Sequence, residues 1–218
     1  MVDTFLHKGL REQLLQELKE MGITDRNVLA AMRHIPRHFF FPKSLDKYAY
    51  KNKAFPIEAE QTISHPYTVA FQTSLLALSP GEKVLEVGTG SGYQSAVLME
   101  MGANLFTMER QQLLFTKTKK KLAQMGYMPR SFFGDGYKGL PEEAPFDKIL
   151  VTAGAGEIPP QLLMQMRVGG ILVIPVGKGK RQKMFRIIKE SPTSFQKEEC
   201  GEFFFVPLLE GLATDENL

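Results

Sequence analysis

The sequence predicts an α/β chain built on a doubly wound, mostly parallel sheet with helices on both faces, and two observations carry that expectation. From Lys83 onward, short apolar runs alternate with helical stretches, the pattern of parallel strands joined by crossover helices. Directly after the first run comes Gly88-Thr89-Gly90-Ser91-Gly92, a glycine-rich turn placed to open a helix. The chain before Lys83 reads as mainly helical, which adds an N-terminal helical extension.

Element by element, Leu10, Leu14, Leu15 and Leu18 recur at helical spacing, and Gly22 stops the pattern as a C′ residue would. Thr24 or Asp25 caps a second helix carrying Val28, Leu29, Met32 and Ile35, ended by Pro36. Arg37 to Pro56 is an irregular aromatic stretch punctuated by Pro42 and Pro56. Ser64 or His65 then caps a helix with Pro66 near its first position, running to about Ala77. Strands follow at Val84–Val87, Asn104–Met108, Ser131–Phe133, Lys148–Val151 and Ile171–Ile174, the last after Gly169-Gly170. Helices are expected over Tyr93–Met101, Gln111–Met125 and Pro160–Met166. Met184–Lys189 and Glu202–Val206 read as two late strands, closer to a hairpin than a crossover. The expected organisation is a helical segment over residues 1–79 packed on a core of residues 80–218, together one structural domain.

Composition removes several function classes. The chain is 43% hydrophobic and 23% charged, enough apolar content to fill a core, so disorder and fibrous repeats are excluded. A formal net charge of +3 does not point to a nucleic-acid partner. The local cluster Lys117, Lys119, Lys120 and Lys121 lies on a helix whose Leu113, Leu114 and Leu122 take the buried spacing, which makes it a solvated face. Cys200 is the only cysteine, so neither an internal disulfide nor a thiolate metal site can form. The N-terminus does not read as a signal peptide and no window is apolar enough to span a membrane, which predicts a cytoplasmic protein. His7, His34, His38 and His65 are scattered, and no metal site is expected.

The glycine-rich turn distinguishes among ligands. A dinucleotide fingerprint needs glycine or alanine where this chain has Tyr93, and no Walker lysine follows Gly92. The pattern Glu86-x-Gly88-x-Gly90-x-Gly92 instead resembles motif I of class I S-adenosylmethionine-dependent methyltransferases. That cofactor is a cation with an amino-acid tail, so carboxylates should gather around it. Glu86 precedes the turn, near the expected methionyl ammonium, directly or through water. Glu109 lies 21 residues after Gly88, where an acid can take both ribose hydroxyls. Asp135, between Gly134 and Gly136, follows the third strand, where it can accept from the adenine amino group. All three acids belong to the ligand-binding edge of a doubly wound sheet.

Further segments carry a closer resemblance. They include Pro36-Arg37-His38-Phe39-Phe40, Gln61-Thr62-Ile63-Ser64, Gly134-Asp135-Gly136-Tyr137 and Phe205-Val206-Pro207-Leu208. With these segments the chain resembles the protein-L-isoaspartate (D-aspartate) O-methyltransferases, repair enzymes that methylate abnormal aspartyl carboxylates, over nearly its whole length. The resemblance implies a Rossmann-like methyltransferase sheet, S-adenosylmethionine as donor and damaged proteins containing L-isoaspartyl residues as acceptors. It implies Ser64 as the active-site serine, with Thr62, Ile63, Ser64 and Val206 at the substrate. The cofactor set it implies is Ile63, Glu86, Gly88, Thr89, Gly90, Ser91, Gly92, Glu109, Arg110, Gly134, Asp135 and Gly136. A monomer is favoured, with no nucleic acid and no membrane partner.

The acceptor chemistry needs no base, because a carboxylate of pKa about 4 is already ionised at pH 7. Ser64 is therefore expected to orient the carboxylate rather than activate it. Three rival readings remain at this level. One is the same framework acting on a small-molecule carboxylate or RNA, another a non-catalytic cofactor-binding module, and the third a nucleic-acid binder using Lys117 to Lys121.

Overall fold

The computed structural model describes residues 2–214. Helix α1, Phe5–Glu20, begins where the Thr4 side chain accepts from the His7 amide. Helix α2, Arg26–His34, is capped by Asp25, whose carboxylate accepts from the amides of Asn27 and Val28. The aromatic stretch that follows is less irregular than its prolines suggest. It forms two 3-10 turns, Arg37–Phe40 and Lys43–Tyr48, then a two-stranded ribbon of β1, Phe55–Pro56, and β2, Thr62–Ile63. His65 is the N-cap of α3, Pro66–Leu76, with proline in the first turn where its missing N–H costs nothing.

The main sheet has seven strands. In chain order they are β3, Lys83–Val87; β4, Asn104–Glu109; β5, Arg130–Phe133; β6, Phe146–Val151; β7, Met166–Val176; β8, Gln182–Lys189; and β9, Phe195–Phe203. Helix α4, Tyr93–Glu100, joins β3 to β4, α5, Gln112–Gln124, joins β4 to β5, and α6, Pro160–Met164, joins β6 to β7, while only a 3-10 turn, Pro141–Glu143, lies between β5 and β6. The spatial order is β5-β4-β3-β6-β7-β8-β9, parallel through β7 and antiparallel in the final two pairings. The order reverses between β3 and β6, and ligands bind at such a switch point, beyond the carboxyl ends of the strands.

Two expectations are corrected here. The last strand is Phe195–Phe203 and stops where Glu202–Val206 was expected to run. As an edge strand it tolerates Gln196, Lys197, Glu198 and Glu199 facing solvent, so its sequence hides its conformation. Gly169 and Gly170 lie within β7 rather than ahead of it, next to an irregularity in its pairing with β6.

Both sheet faces are buried. Val84, Leu105, Leu150 and Val173 pack in one core with Leu14, Leu18, Val28, Met32 and Val69 from the N-terminal helices. Leu85, Phe106, Ile149 and Leu172 alternate with them into a second core on the opposite face. No helix among the described residues is long and apolar enough to cross a membrane.

Candidate functional site

The loop after β3 is shaped by backbone hydrogen bonds. The amides of Gly88 and Thr89 both donate to the carbonyl of Met108 at the end of β4, at 2.8 and 3.1 Å. Gly88 has φ of +98°, and a Cβ there would lie 2.4 Å from Thr152 Oγ1. Thr152 sits just past β6 and donates to the carbonyls of Val87 and Gly88, so this close approach is what stitches the switch point shut. At Gly92, φ +84°, a Cβ would meet the side chains of Thr118 and Leu122 on α5.

Above this loop lies a cleft of about 800 Å³, part of it open to solvent. Its walls bring together the predicted residues Thr62, Ile63, Ser64, Gly88, Thr89, Gly90, Ser91, Glu109, Arg110, Gly134, Gly136 and Val206. A second depression of similar size adjoins it, lined by Tyr67, Phe203, Phe204 and Phe205 among others. Thr62, Ser64, Thr152 and Val206 line both. Among the described residues none is hydrogen-bonded to the Ser64 hydroxyl, while the Ser64 carbonyl accepts from Arg37 Nη2 at 2.8 Å.

Three predicted residues are not brought to the cleft wall. Gly92 is used for packing against α5. Glu86 is fully buried beneath the loop, where its Oε2 accepts from the hydroxyls of Ser95 and Thr107. Thr107 in turn meets Thr89 at 2.7 Å. Burial raises the Glu86 pKa to about 7 against these hydrogen bonds, and its Oε1 has no partner. Asp135 accepts from the amide of Tyr137 through Oδ1 and from the amide of Gly211 through Oδ2, both at 2.9 Å. Its carboxylate thereby ties the segment after β5 to Gly211.

Glu109 is 5% exposed. Its two oxygens accept from the amides of Gly90 and Gln111, and burial raises its pKa. Arg110 turns its guanidinium toward the carbonyls of Gly211 and Glu210. These contacts belong to a strap, residues 206–213, that sequence reasoning recognised only at its first three positions. The strap bonds Gly154 through Val206 and Leu208, and Arg110 and Gln112 through Ala213. It supplies Pro207, Leu208 and Leu209 to the cleft wall.

Gln94 was also missed, because helix periodicity gives no sign of a ligand-facing amide. It lines the cleft, donates to Thr73 Oγ1, and leaves a buried Oε1 with no partner. A carboxylate and an unsatisfied amide oxygen at the wall, with the lining cation Arg110 engaged by the carbonyls of Gly211 and Glu210, fit a ligand that is a cation and a hydrogen-bond donor. An S-adenosylmethionine molecule has that character.

The scattered histidines are closer together than the sequence implies. His7 stacks on His38 with ring centroids 3.7 Å apart, and Asp3 completes a cluster of ligand-capable groups. Both ring nitrogens of His38 have protein partners, the Tyr50 hydroxyl and the Val2 carbonyl, and Asp3 is paired with Arg11 at 2.9 Å. Lys117, Lys119 and Lys120 are exposed on α5, where Lys117 pairs with Glu58, while Lys121 is half-buried.

Comparison with known proteins agrees with this geometry. The family model described as Protein-L-isoaspartate(D-aspartate) O-methyltransferase matches residues 9–213. The Protein-L-isoaspartate O-methyltransferase of Christiangramia forsetii is 57% identical over 96% of this chain and 99% of its own length. That of Cytophaga hutchinsonii is 56% identical over 96% and 95%. A solved protein-L-isoaspartate O-methyltransferase superposes with a TM-score of 0.81 at 29% identity, covering 93% of this chain and 67% of that one. A Plasmodium falciparum structure in complex with S-adenosyl-L-homocysteine has the same fold, with a TM-score of 0.80 at 24% identity over 91% and 98%. With a family model spanning nearly the whole chain and relatives above half identity, the chain belongs to the S-adenosylmethionine-dependent protein-L-isoaspartate(D-aspartate) O-methyltransferase family.

Proposed function

We propose that the chain methylates the α-carboxylate of L-isoaspartyl residues in damaged proteins and peptides, leaving a methyl ester and S-adenosylhomocysteine. The observation that carries this reading is the shared wall. Thr62, Ser64, Thr152 and Val206 border both the cleft at the switch point and the neighbouring depression. A donor held in one and a carboxylate held in the other meet across that wall.

When bound, the cofactor supplies an electrophilic methyl group on a cationic sulfur. The residues proposed to hold it are Ile63, Gly88, Thr89, Gly90, Ser91, Glu109, Gly134 and Gly136 at the wall, with the main chain of Arg110. Glu109 spends one acceptor position per oxygen on Gly90 and Gln111 and keeps the others for ribose hydroxyls. Glu86 acts from below, through Thr107 and Thr89. Asp135 acts through the strap.

On the acceptor side, the Ser64 hydroxyl donates to the carboxylate oxygen that does not attack. The Val206 carbonyl is taken by the Gly154 amide, so its N–H remains for the substrate main chain. Thr62 and Ile63 complete that face. No general base is needed for an ionised carboxylate, and the protein's contribution is alignment. The proposed setting is a monomer in the cytoplasm, with damaged polypeptides and no nucleic acid as partners. The ion pairing of Lys117 with Glu58 supports the last point.

The test is transfer of labelled methyl to two peptides identical except for one L-isoaspartyl in place of L-aspartyl. Base-labile label on the isoaspartyl peptide alone is expected. Label on neither, with cofactor binding intact, would assign the site to another acceptor.

A further inference from the structure

One buried cation touches both halves of the site. Arg37 follows Pro36, opens the first 3-10 turn and is 0% exposed. Its Nε donates to the Ala49 carbonyl at 2.9 Å and its Nη2 to the Ser64 carbonyl at 2.8 Å. Its Cζ lies 4.5 Å from the centre of the Tyr93 ring and 5.4 Å from that of Phe41. Nη1 has no hydrogen-bond partner, and no carboxylate pairs with the guanidinium among the described residues.

A buried charge without a counter-ion is costly to keep. Burial pulls the Arg37 pKa down to about 10, so the group is still charged at neutral pH. The contacts show what that cost maintains. Ser64 carries the unengaged hydroxyl on the shared wall. Tyr93 is the first residue of α4, lines the donor cleft, and follows the glycine-rich turn directly. A single planar group grips the first and lies on the second. The rigid fork sets two donors at a fixed spacing while its flat face covers the ring, a geometry that the point charge of a lysine does not reproduce.

We propose that Arg37 is a positioning residue that sets the separation between the Ser64 turn and the donor cleft by holding the Ser64 carbonyl while resting on Tyr93. The inference rests on the methyl-transfer reading above and assigns Arg37 no contact with either substrate.

The experiment compares the wild-type protein with Arg37→Lys and Arg37→Gln. Three readouts are taken: steady-state kinetics on the isoaspartyl peptide, S-adenosylhomocysteine affinity by calorimetry, and amide hydrogen exchange in the presence of S-adenosylhomocysteine. A misplacement of about 1 Å is expected to cost kcat about 100-fold, with peptide KM and S-adenosylhomocysteine affinity moving less than about threefold. Exchange across residues 62–66 should speed up at least about tenfold while the sheet keeps its protection. A folded variant with wild-type kcat overturns the proposal. So does a loss of S-adenosylhomocysteine affinity equal to the loss of kcat, or the failure of both variants to fold, since each assigns Arg37 to stability or cofactor binding alone. Failure of the underlying reading shows separately, as a wild-type protein that labels no isoaspartyl peptide. Exchange at residues 62–66 then still decides whether Arg37 holds the turn.

Discussion

The carboxylate of Glu109, at the end of β4, accepts from the amide of Gly90 at 2.8 Å. One acid thereby closes the glycine-rich loop of the neighbouring strand while standing in the cleft wall. Loop geometry and the cleft wall are joined in a single side chain.

Replacing Glu109 by alanine is therefore expected to weaken cofactor binding by roughly 1–3 kcal/mol, through lost ligand hydrogen bonds and a slackened Gly90 amide. Calorimetric titration with S-adenosylhomocysteine measures it. Unchanged affinity would remove Glu109 from the ribose site.

Ser64→Ala should behave differently. Its hydroxyl has no hydrogen-bond partner among the described residues, so deletion leaves the fold and the donor cleft as they were. Methyl transfer should fall by about 100-fold, the scale of a lost alignment, with cofactor affinity nearly constant. Equal loss of both quantities would contradict an acceptor-side role.

Glu86 makes stability depend on pH. Its pKa is near 4.5 when unfolded and about 7 in the fold, so between those values the folded protein binds more protons. The stabilisation present below pH 4.5 is lost as pH rises through 7. Glu86→Gln removes that titration. The variant should match the wild type at pH 4.5 and exceed it at pH 8 by on the order of 2–3 kcal/mol. Thermal melts of the ligand-free protein at the two pH values check this, and a constant difference would show that burial does not control the Glu86 proton.

Asp135→Ala cuts the strap loose at Gly211 and leaves the Tyr137 amide unpaired. S-adenosylhomocysteine should dissociate faster by about fivefold, the scale of one hydrogen bond. Stopped-flow release is the measurement. An unchanged rate would mean that Gly211 is held by its other contacts.

The parallel strands were legible because both sheet faces are buried, which leaves unbroken apolar runs such as Ile149-Leu150-Val151. The glycine-rich turn was legible because positive φ at Gly88 and Gly92 is written in residue type. What escaped reading depends on partners far away in sequence. Glu86 is enclosed by Ser95 and Thr107, and Asp135 is held by the amides of Tyr137 and Gly211, contacts that no local pattern announces. Gln94 on α4 and Arg37 on a 3-10 turn have spacings that say nothing of the hydroxyl, carbonyls or rings opposite. β9 was displaced because an edge strand with Lys197, Glu198 and Glu199 outward carries no apolar alternation.

The strap has a consequence for folding order. Its bonds join residues 100 and 76 positions apart, as Arg110 to Glu210 and Asp135 to Gly211. Closures of that length give no return until the sheet already stands. The strap should therefore dock after the sheet core and fray before it, in a local opening that costs less than global unfolding. Competence to bind the methyl donor would be the last property acquired during refolding and the first surrendered in dilute denaturant, while the strands remain intact.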